Sequence, residues 1–114
     1  MKTVTLSVAN RDEVTRRALD AFDGREQGSY ISFSSVDLLW KTMTRKRWDL
    51  LKALTGQGAV SIREASRLVE RDVKSVHGDV HALLEAGVIQ RNENGMVVFP
   101  YDAVHVDFML TSAA

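Results

Sequence analysis

Val4, Leu6 and Val8 alternate with Thr3, Thr5 and Ser7 at the start of the chain. A period of two with the apolar residues on one side predicts a short strand with one buried face. The period changes at Asn10, which has the chemistry of a helix cap with Glu13 at the third helical position. Val14, Ala18, Ala21 and Phe22 then recur at helical spacing, and Gly24 ends the run. Tyr30 to Phe33 reads as a second short strand, and Ser34 or Ser35 is placed to cap a brief helix carrying Leu38, Leu39 and Met43.

The pattern sharpens from Thr44, which predicts a capped helix through Leu54 with Trp48, Leu51 and Leu54 three apart and Leu50 beside them. Gly56-Gln57-Gly58 stops it. Ser61-Ile62-Arg63-Glu64 has the form of a capping box, in which the Ser hydroxyl accepts from the N–H three residues on and the Glu reaches back. Ile62, Ala65, Leu68 and Val69 give that helix an apolar face. A tight break at Glu70-Arg71 precedes Asp72, a cap for a helix with Val73, Val76, Val80, Leu83 and Leu84 as its stripe and Gly87 as its stop. Val88 to Arg91 and Met96 to Phe99 flank Asn92-Glu93-Asn94-Gly95. Asn-Gly between apolar runs is the strongest short hairpin signal, since both residues tolerate positive φ. Pro100 ends the hairpin, and Val104, Val106 and Phe108 alternate as a last strand.

Helix, short helix, three-residue turn, longer helix and hairpin form the order of a winged helix-turn-helix. The predicted fold is therefore α+β and mainly helical, a winged helix-turn-helix with an N-terminal strand-helix extension and a C-terminal strand. Its parts are an extension over 1–34, the winged unit over 35–100, and a C-terminal strand and tail over 101–114. Two helices crossing steeply leave the second free to enter a major groove about 12 Å wide. Residues 72–86 would then enter the groove, with the hairpin 88–99 as the wing. The face opposite the apolar stripe carries Lys74, Ser75, His77, Gly78 and His81. Arg71 and Lys74 lie near the helix start, where the dipole favours phosphate. Arg45, Lys46, Ser61 and Arg63 are candidate backbone contacts, and Arg91, Asn92 and Asn94 lie on the wing. Domains of this shape also serve as protein-binding modules, so the order of elements does not fix function.

Charge changes the picture only when it is counted locally. The 114 residues hold 15 basic and 15 acidic side chains, a net charge of zero that points away from nucleic acid. Residues 1–40 carry net −1, residues 41–75 net +5 from nine basic against four acidic, and residues 76–114 net −4. Screening confines each charge to roughly 8 Å at physiological salt, so the local surplus over the predicted helix-turn-helix is what a polyanion meets. Asp79 is the contrary residue, a carboxylate on the groove helix that needs a cytosine amino group or a neighbouring Arg or Lys. The longest stretch without Asp, Glu, Lys or Arg is ten residues, against about twenty for a membrane helix. Neither a membrane segment nor a signal peptide is expected, and the cytoplasm is the expected compartment.

Other chemistries have thin support. The chain has no cysteine, hence no disulfide framework, thiolate ligand or cysteine nucleophile. His77 and His81 have the spacing of two zinc ligands, but Gly78 stands where a zincin needs Glu, and a third ligand would have to come from His105 or Asp102. No metal, no cofactor and no enzymatic activity are expected. Every Ser sits at a cap or in a strand, and Gly56-Gln57-Gly58 is a helix stop, not a phosphate-binding loop. Trp40 and Trp48 fall on or beside apolar stripes and are expected in the core.

Several stretches also resemble a known family. They are Thr44-Arg45-Lys46-Arg47-Trp48-Asp49-Leu50-Leu51, Ser61-Ile62-Arg63-Glu64-Ala65, Arg71 to Val80, and Pro100 to Phe108. Together they are similar to the MarR-like winged-helix family of prokaryotic DNA-binding proteins, often antitoxins encoded beside a small toxin. The resemblance covers Tyr30 to Phe108. It implies a dimeric repressor of its own operon that binds double-stranded DNA and neutralises a partner toxin. Gly78 departs from the longer polar or charged residue that the resemblance leads one to expect, which removes a candidate base-reading side chain.

The terminal elements lie outside the predicted DNA-binding part, and helix-turn-helix proteins commonly pair to read two half-sites. Val4, Leu6, Val14, Ala18, Phe22, Val104, Val106 and Phe108 are the candidate interface of a homodimer, their apolar faces needing either each other or a second subunit.

Overall fold

Four short polar side chains decide where the four helices between Val36 and Glu85 of this α+β fold begin. In the computed structural model, which describes residues 1–9, 15–16, 18–19 and 29–110, the helices are α1 (Val36–Thr42), α2 (Arg45–Leu54), α3 (Ile62–Val69) and α4 (Val73–Glu85). The Ser35 hydroxyl accepts from the Leu38 N–H at 3.1 Å and the Thr44 hydroxyl from Arg47 N–H at 3.3 Å. Ser61 accepts from Glu64 N–H at 3.0 Å, and the Asp72 carboxylate from Ser75 N–H at 2.9 Å. Each bond satisfies an N–H that a first helical turn leaves without an internal partner. The expected box at Ser61 is half formed, because the Glu64 carboxylate pairs with Arg67 one turn along the helix. At the far end of α4, Gly87 has φ of 76°, its N–H donates to Leu84 C=O, and Val88 N–H donates to Leu83 C=O. This double closure satisfies two terminal carbonyls and needs the glycine.

The chain divides into two units, Thr42–Asp102 and Met1–Lys41 with Ala103–Ala114. The partition differs from the expected one, since α1 groups with the terminal strands and the two ends of the chain share one unit. Strand pairing between the ends is the reason.

In the helical unit α2, α3 and α4 touch one another. Leu50, Leu51 and Leu54 of α2, Ala65 of α3, and Val76, Val80 and Leu83 of α4 are buried, with Val88, Ile89, Val97 and Phe99 from the hairpin. Trp48 is half-buried, and Leu68 and Val73 of the expected stripes are exposed. Strands β3 (Gln90–Arg91) and β4 (Val97–Val98) form the hairpin, Gln90 opposite Val98 and Arg91 opposite Val97. Its turn is not the two-residue type in which both Asn and Gly take positive φ. Only Gly95 does so, and the Asn92 Oδ1 accepts from the N–H groups of Asn94 and Met96, both at 3.0 Å. Val60 adds a bridge on the other side of β4, exchanging two backbone hydrogen bonds with Val97 at 2.9 and 2.8 Å.

In the terminal unit β1 (Thr3–Val8) lies between β2 (Ser29–Phe33) and β5 (Ala103–Asp107), both parallel to it. Parallel neighbours need long crossovers, and helical residues Thr15, Arg16, Ala18 and Leu19 lie in the one joining β1 to β2. Val4 and Leu6 are fully enclosed, and Ser7 on the other face is also buried, its hydroxyl 3.3 Å from that of Ser32. Val4 and Leu6 are therefore core of the central strand, not surface for a second subunit. Ala18 is exposed, while Val14 and Phe22 of the expected interface lie outside the described residues. Trp40, expected in the core, is 57% exposed and rests edge-on against Phe108 at 5.8 Å.

The Asp72 cap is charged, so its contribution depends on pH. Hydrogen bonds from the Ser75 N–H and hydroxyl hold its carboxyl below the usual 3.8. A carboxyl whose pKa is lowered by folding stabilises the fold above its unfolded value, and that stabilisation is lost as pH falls through the lower folded value. Urea unfolding should therefore find Asp72→Ala less stable than the wild type at pH 7, with the difference closing below about pH 4. An unchanged gap at pH 3 would count against this account.

Candidate nucleic-acid interface

Asp79 lies in the middle of α4, on the side turned toward α2 and the α3–α4 connection. Its Oδ1 accepts from Arg47 Nε of α2 at 3.1 Å, and its Oδ2 from Arg71 Nη2 at 2.7 Å. The three side chains are 15%, 23% and 20% exposed, so the ion pairs are only partly screened by water. Arg47 also donates from Nη1 to the Thr42 C=O at 2.9 Å, at the entrance to α2. Arg71 is held by its backbone as well. Its N–H donates to Ser66 C=O at 3.1 Å, and its own C=O accepts from the buried Ser66 hydroxyl. Glu70 between them adopts φ 55°, ψ 45°, the left-handed conformation that makes the connection from α3 to α4 short. One carboxylate thus joins the start of α2, the α3–α4 connection and the middle of α4.

This network answers the objection raised by Asp79, because the carboxylate is compensated by two guanidinium groups and withdrawn from the surface of the helix. It also changes the role of Arg71. That side chain is a strut of the α3–α4 connection and not a free phosphate ligand. Ser75 is likewise engaged, its hydroxyl donating to Asp72 Oδ1 at 2.8 Å. The Asp72 carboxylate occupies the N-terminus of α4, so the site expected to favour phosphate there already holds an anion. Asn92 is consumed by its turn, and Ser61 by its cap.

The remaining candidates are exposed. Lys74, His77, Gly78 and His81 follow one another at intervals of three, one and three along α4, which puts them on a single helical face. Arg63 begins α3, and Arg45 and Lys46 begin α2, all three exposed. Arg91 is exposed on β3 and Asn94 at the hairpin tip, beside an exposed Glu93 that limits what the tip can offer an anion. His77 and His81 approach with their Nε2 atoms 3.1 Å apart, either ring able to donate to the other. No group of three or more His, Cys, Asp or Glu side chains converges to hold a metal among the described residues. An open depression of about 590 Å³ beside α2 and α3 includes Asp49, Lys52, Thr55 and Leu68, and the Thr55 hydroxyl donates to Leu51 C=O at 2.9 Å.

Two sets of substitutions separate struts from free surface. Asp79→Asn removes the charge that compensates Arg47 and Arg71 and should lower stability by about 2 kcal/mol, since hydrogen bonds to charged groups contribute roughly 1.5–3 kcal/mol. Arg63→Ala on the exposed face should stay within about 0.5 kcal/mol. A Cβ added at Gly78 meets nothing within 4 Å, so Gly78→Ala should raise stability by roughly 1 kcal/mol through helix propensity alone. Chemical denaturation of the three variants checks all three values.

The family model described as HVO_A0114 matches residues 42–106, which span the helical unit and reach into β5. No curated protein and no solved structure matches the chain. The matched residues make up more than half of the sequence and contain the Asp79 network and the exposed face of α4, and the chain belongs to the HVO_A0114 family.

Proposed function

We propose that the chain is a winged helix-turn-helix transcriptional regulator that binds double-stranded DNA as a homodimer in the cytoplasm, without enzymatic activity. In this reading α3 and α4 are the helix-turn-helix, α4 enters the major groove, and the β3–β4 hairpin is the wing. The observation that carries it is the outward face of α4, where Lys74, His77, Gly78 and His81 lie together while the helix's central carboxylate is turned inward and paired. That face is polar and hydrogen-bonding where a protein-docking helix would present apolar side chains. Imidazoles can donate to or accept from base edges, and the missing side chain at Gly78 lets the backbone approach closely. Lys74, Arg63, Arg45 and Lys46 supply the phosphate contacts that set register.

The resemblance to MarR-like winged-helix proteins supports the same reading and adds autorepression and neutralisation of a toxin, roles that rest on that resemblance. A second reading has support in the exposed Trp40, Met109 and Leu110 of the terminal unit, which suit a protein partner without DNA binding. Duplex DNA distinguishes the two. Fluorescence anisotropy across a salt series should give log affinity falling steeply with log salt, with slope about −0.9 per phosphate neutralised. Arg63→Ala and Lys74→Ala should each flatten the slope by about one unit and weaken binding to all sequences alike. Absence of binding at low salt would remove the DNA reading and leave the protein-binding one.

A further inference from the structure

Among the described residues β5 is an edge strand with an unpaired side, and it has few of the devices that usually blunt an edge. Ala103–Asp107 contains no proline, lysine or bulge, and the residues that follow, Met109 and Leu110, are 80% and 82% exposed. The Ala103 N–H donates to Lys2 C=O, toward β1. Backbone direction alternates along a strand, so His105 and Asp107 also point their N–H and C=O groups at β1, and Val104 and Val106 point theirs outward. Side chains alternate as well. By register Val104 and Val106 lie on the face of Val4 and Leu6, and His105 and Asp107 lie on the opposite face, both exposed.

We infer that β5 pairs antiparallel with β5 of a second copy of this chain about a two-fold axis at Val106, giving a continuous six-stranded sheet. The inference rests on the homodimer in the proposed function and specifies its interface. An antiparallel pair joins outward-pointing residues to outward-pointing residues, which leaves few registers. Centred on Val106, the pairing sets Val106 against itself and Val104 against Phe108 of the other copy, extending the apolar face. On the other face it sets each His105 opposite an Asp107, in the non-hydrogen-bonded positions where side chains come closest. Centred on His105, the pairing would face imidazole to imidazole and Asp107 to Ala103. Only the first register sets an imidazole, able to donate a hydrogen bond, opposite a carboxylate. β2, the other edge of the sheet, carries no carboxylate and no imidazole to fix a register in this way.

The chain has no cysteine, so single introduced thiols report the axis directly. Cα atoms of a hydrogen-bonded antiparallel pair lie about 5.5 Å apart, within disulfide reach. Sedimentation should give a wild-type dimer at micromolar concentration. Under mild oxidation Val106→Cys should become a covalent dimer and His105→Cys should not. Asp107→His should weaken the dimer by about tenfold, and the swap His105→Asp with Asp107→His should restore it. Efficient cross-linking of His105→Cys, cross-linking of neither variant, a failed rescue by the swap, or a wild-type monomer would each overturn the inference. None of these readouts involves DNA. Loss of the β5 pairing with retained DNA binding would thus leave the regulator reading standing, and the reverse result would leave the interface standing.

Discussion

The carboxylate of Asp79 is the constraint on which the helical unit depends. Segments far apart in sequence meet at it, and it pairs with both Arg47 and Arg71. Burying charge is unfavourable unless the charge is paired and hydrogen-bonded, and this network meets that condition for the carboxylate through two donors. Its value is geometric as much as energetic. The guanidinium of Arg71 and the Ser66 hydroxyl fix the residues between α3 and α4, and the left-handed Glu70 is tolerated because Arg71 beside it and Ser66 on the preceding turn are tied together. With two cations to one anion, the network also keeps one surplus positive charge beneath the exposed face of α4.

The same network changes how the basic residues should be counted. Over Thr42–Asp102, nine basic side chains stand against eight acidic, a surplus of only one. Arg47 and Arg71 are tied to Asp79, and Arg67 to Glu64. Arg45, Lys46, Lys52, Arg63 and Lys74 are exposed cations of the three helices without an ion-pair partner among the described residues. Placement therefore matters more than the sum. Exposed pairs such as Arg67 with Glu64 contribute little to stability and cancel each other toward a polyanion. Inward pairing at Asp79 leaves the centre of the exposed α4 face without a free carboxylate, as the proposed DNA contact requires.

Local features were legible in the sequence because their causes span three or four residues. The caps at Thr44, Ser61 and Asp72, the stop at Gly87 and the buried stripe of Val76, Val80 and Leu83 all follow from short-range rules. What the residue pattern did not reveal lies at longer range. Arg47 reaches Asp79 across 32 positions, and β1 pairs with β5 across about a hundred. Neither link leaves a periodicity to read. The alternation of Val4 and Leu6 announces a buried face without saying whether a neighbouring strand or a second subunit covers it. Trp40 shows the converse limit, since an aromatic beside an apolar stripe can equally lie on its outer margin. The lone carboxylate between two histidines was the available sign of the network, because a mid-helix Asp with basic residues near it in a fold needs a partner.

The two units expose different chemistry, and the proposed function would place a different kind of contact on each. Among the described residues of the helical unit, the large apolar side chains left exposed are Leu68 and Val73. The terminal unit exposes Met1, Leu19, Tyr30, Leu38, Trp40, Val106, Met109 and Leu110. Binding to a polyanion draws on placed charge and counterion release and needs little apolar area. Self-association in water draws on apolar burial and on completing a sheet edge, and it tolerates few uncompensated charges. Separating these demands onto different stretches of sequence lets each surface change without undoing the other. The carboxylate at the centre of α4, Asp79, is the one the fold turns inward and pairs.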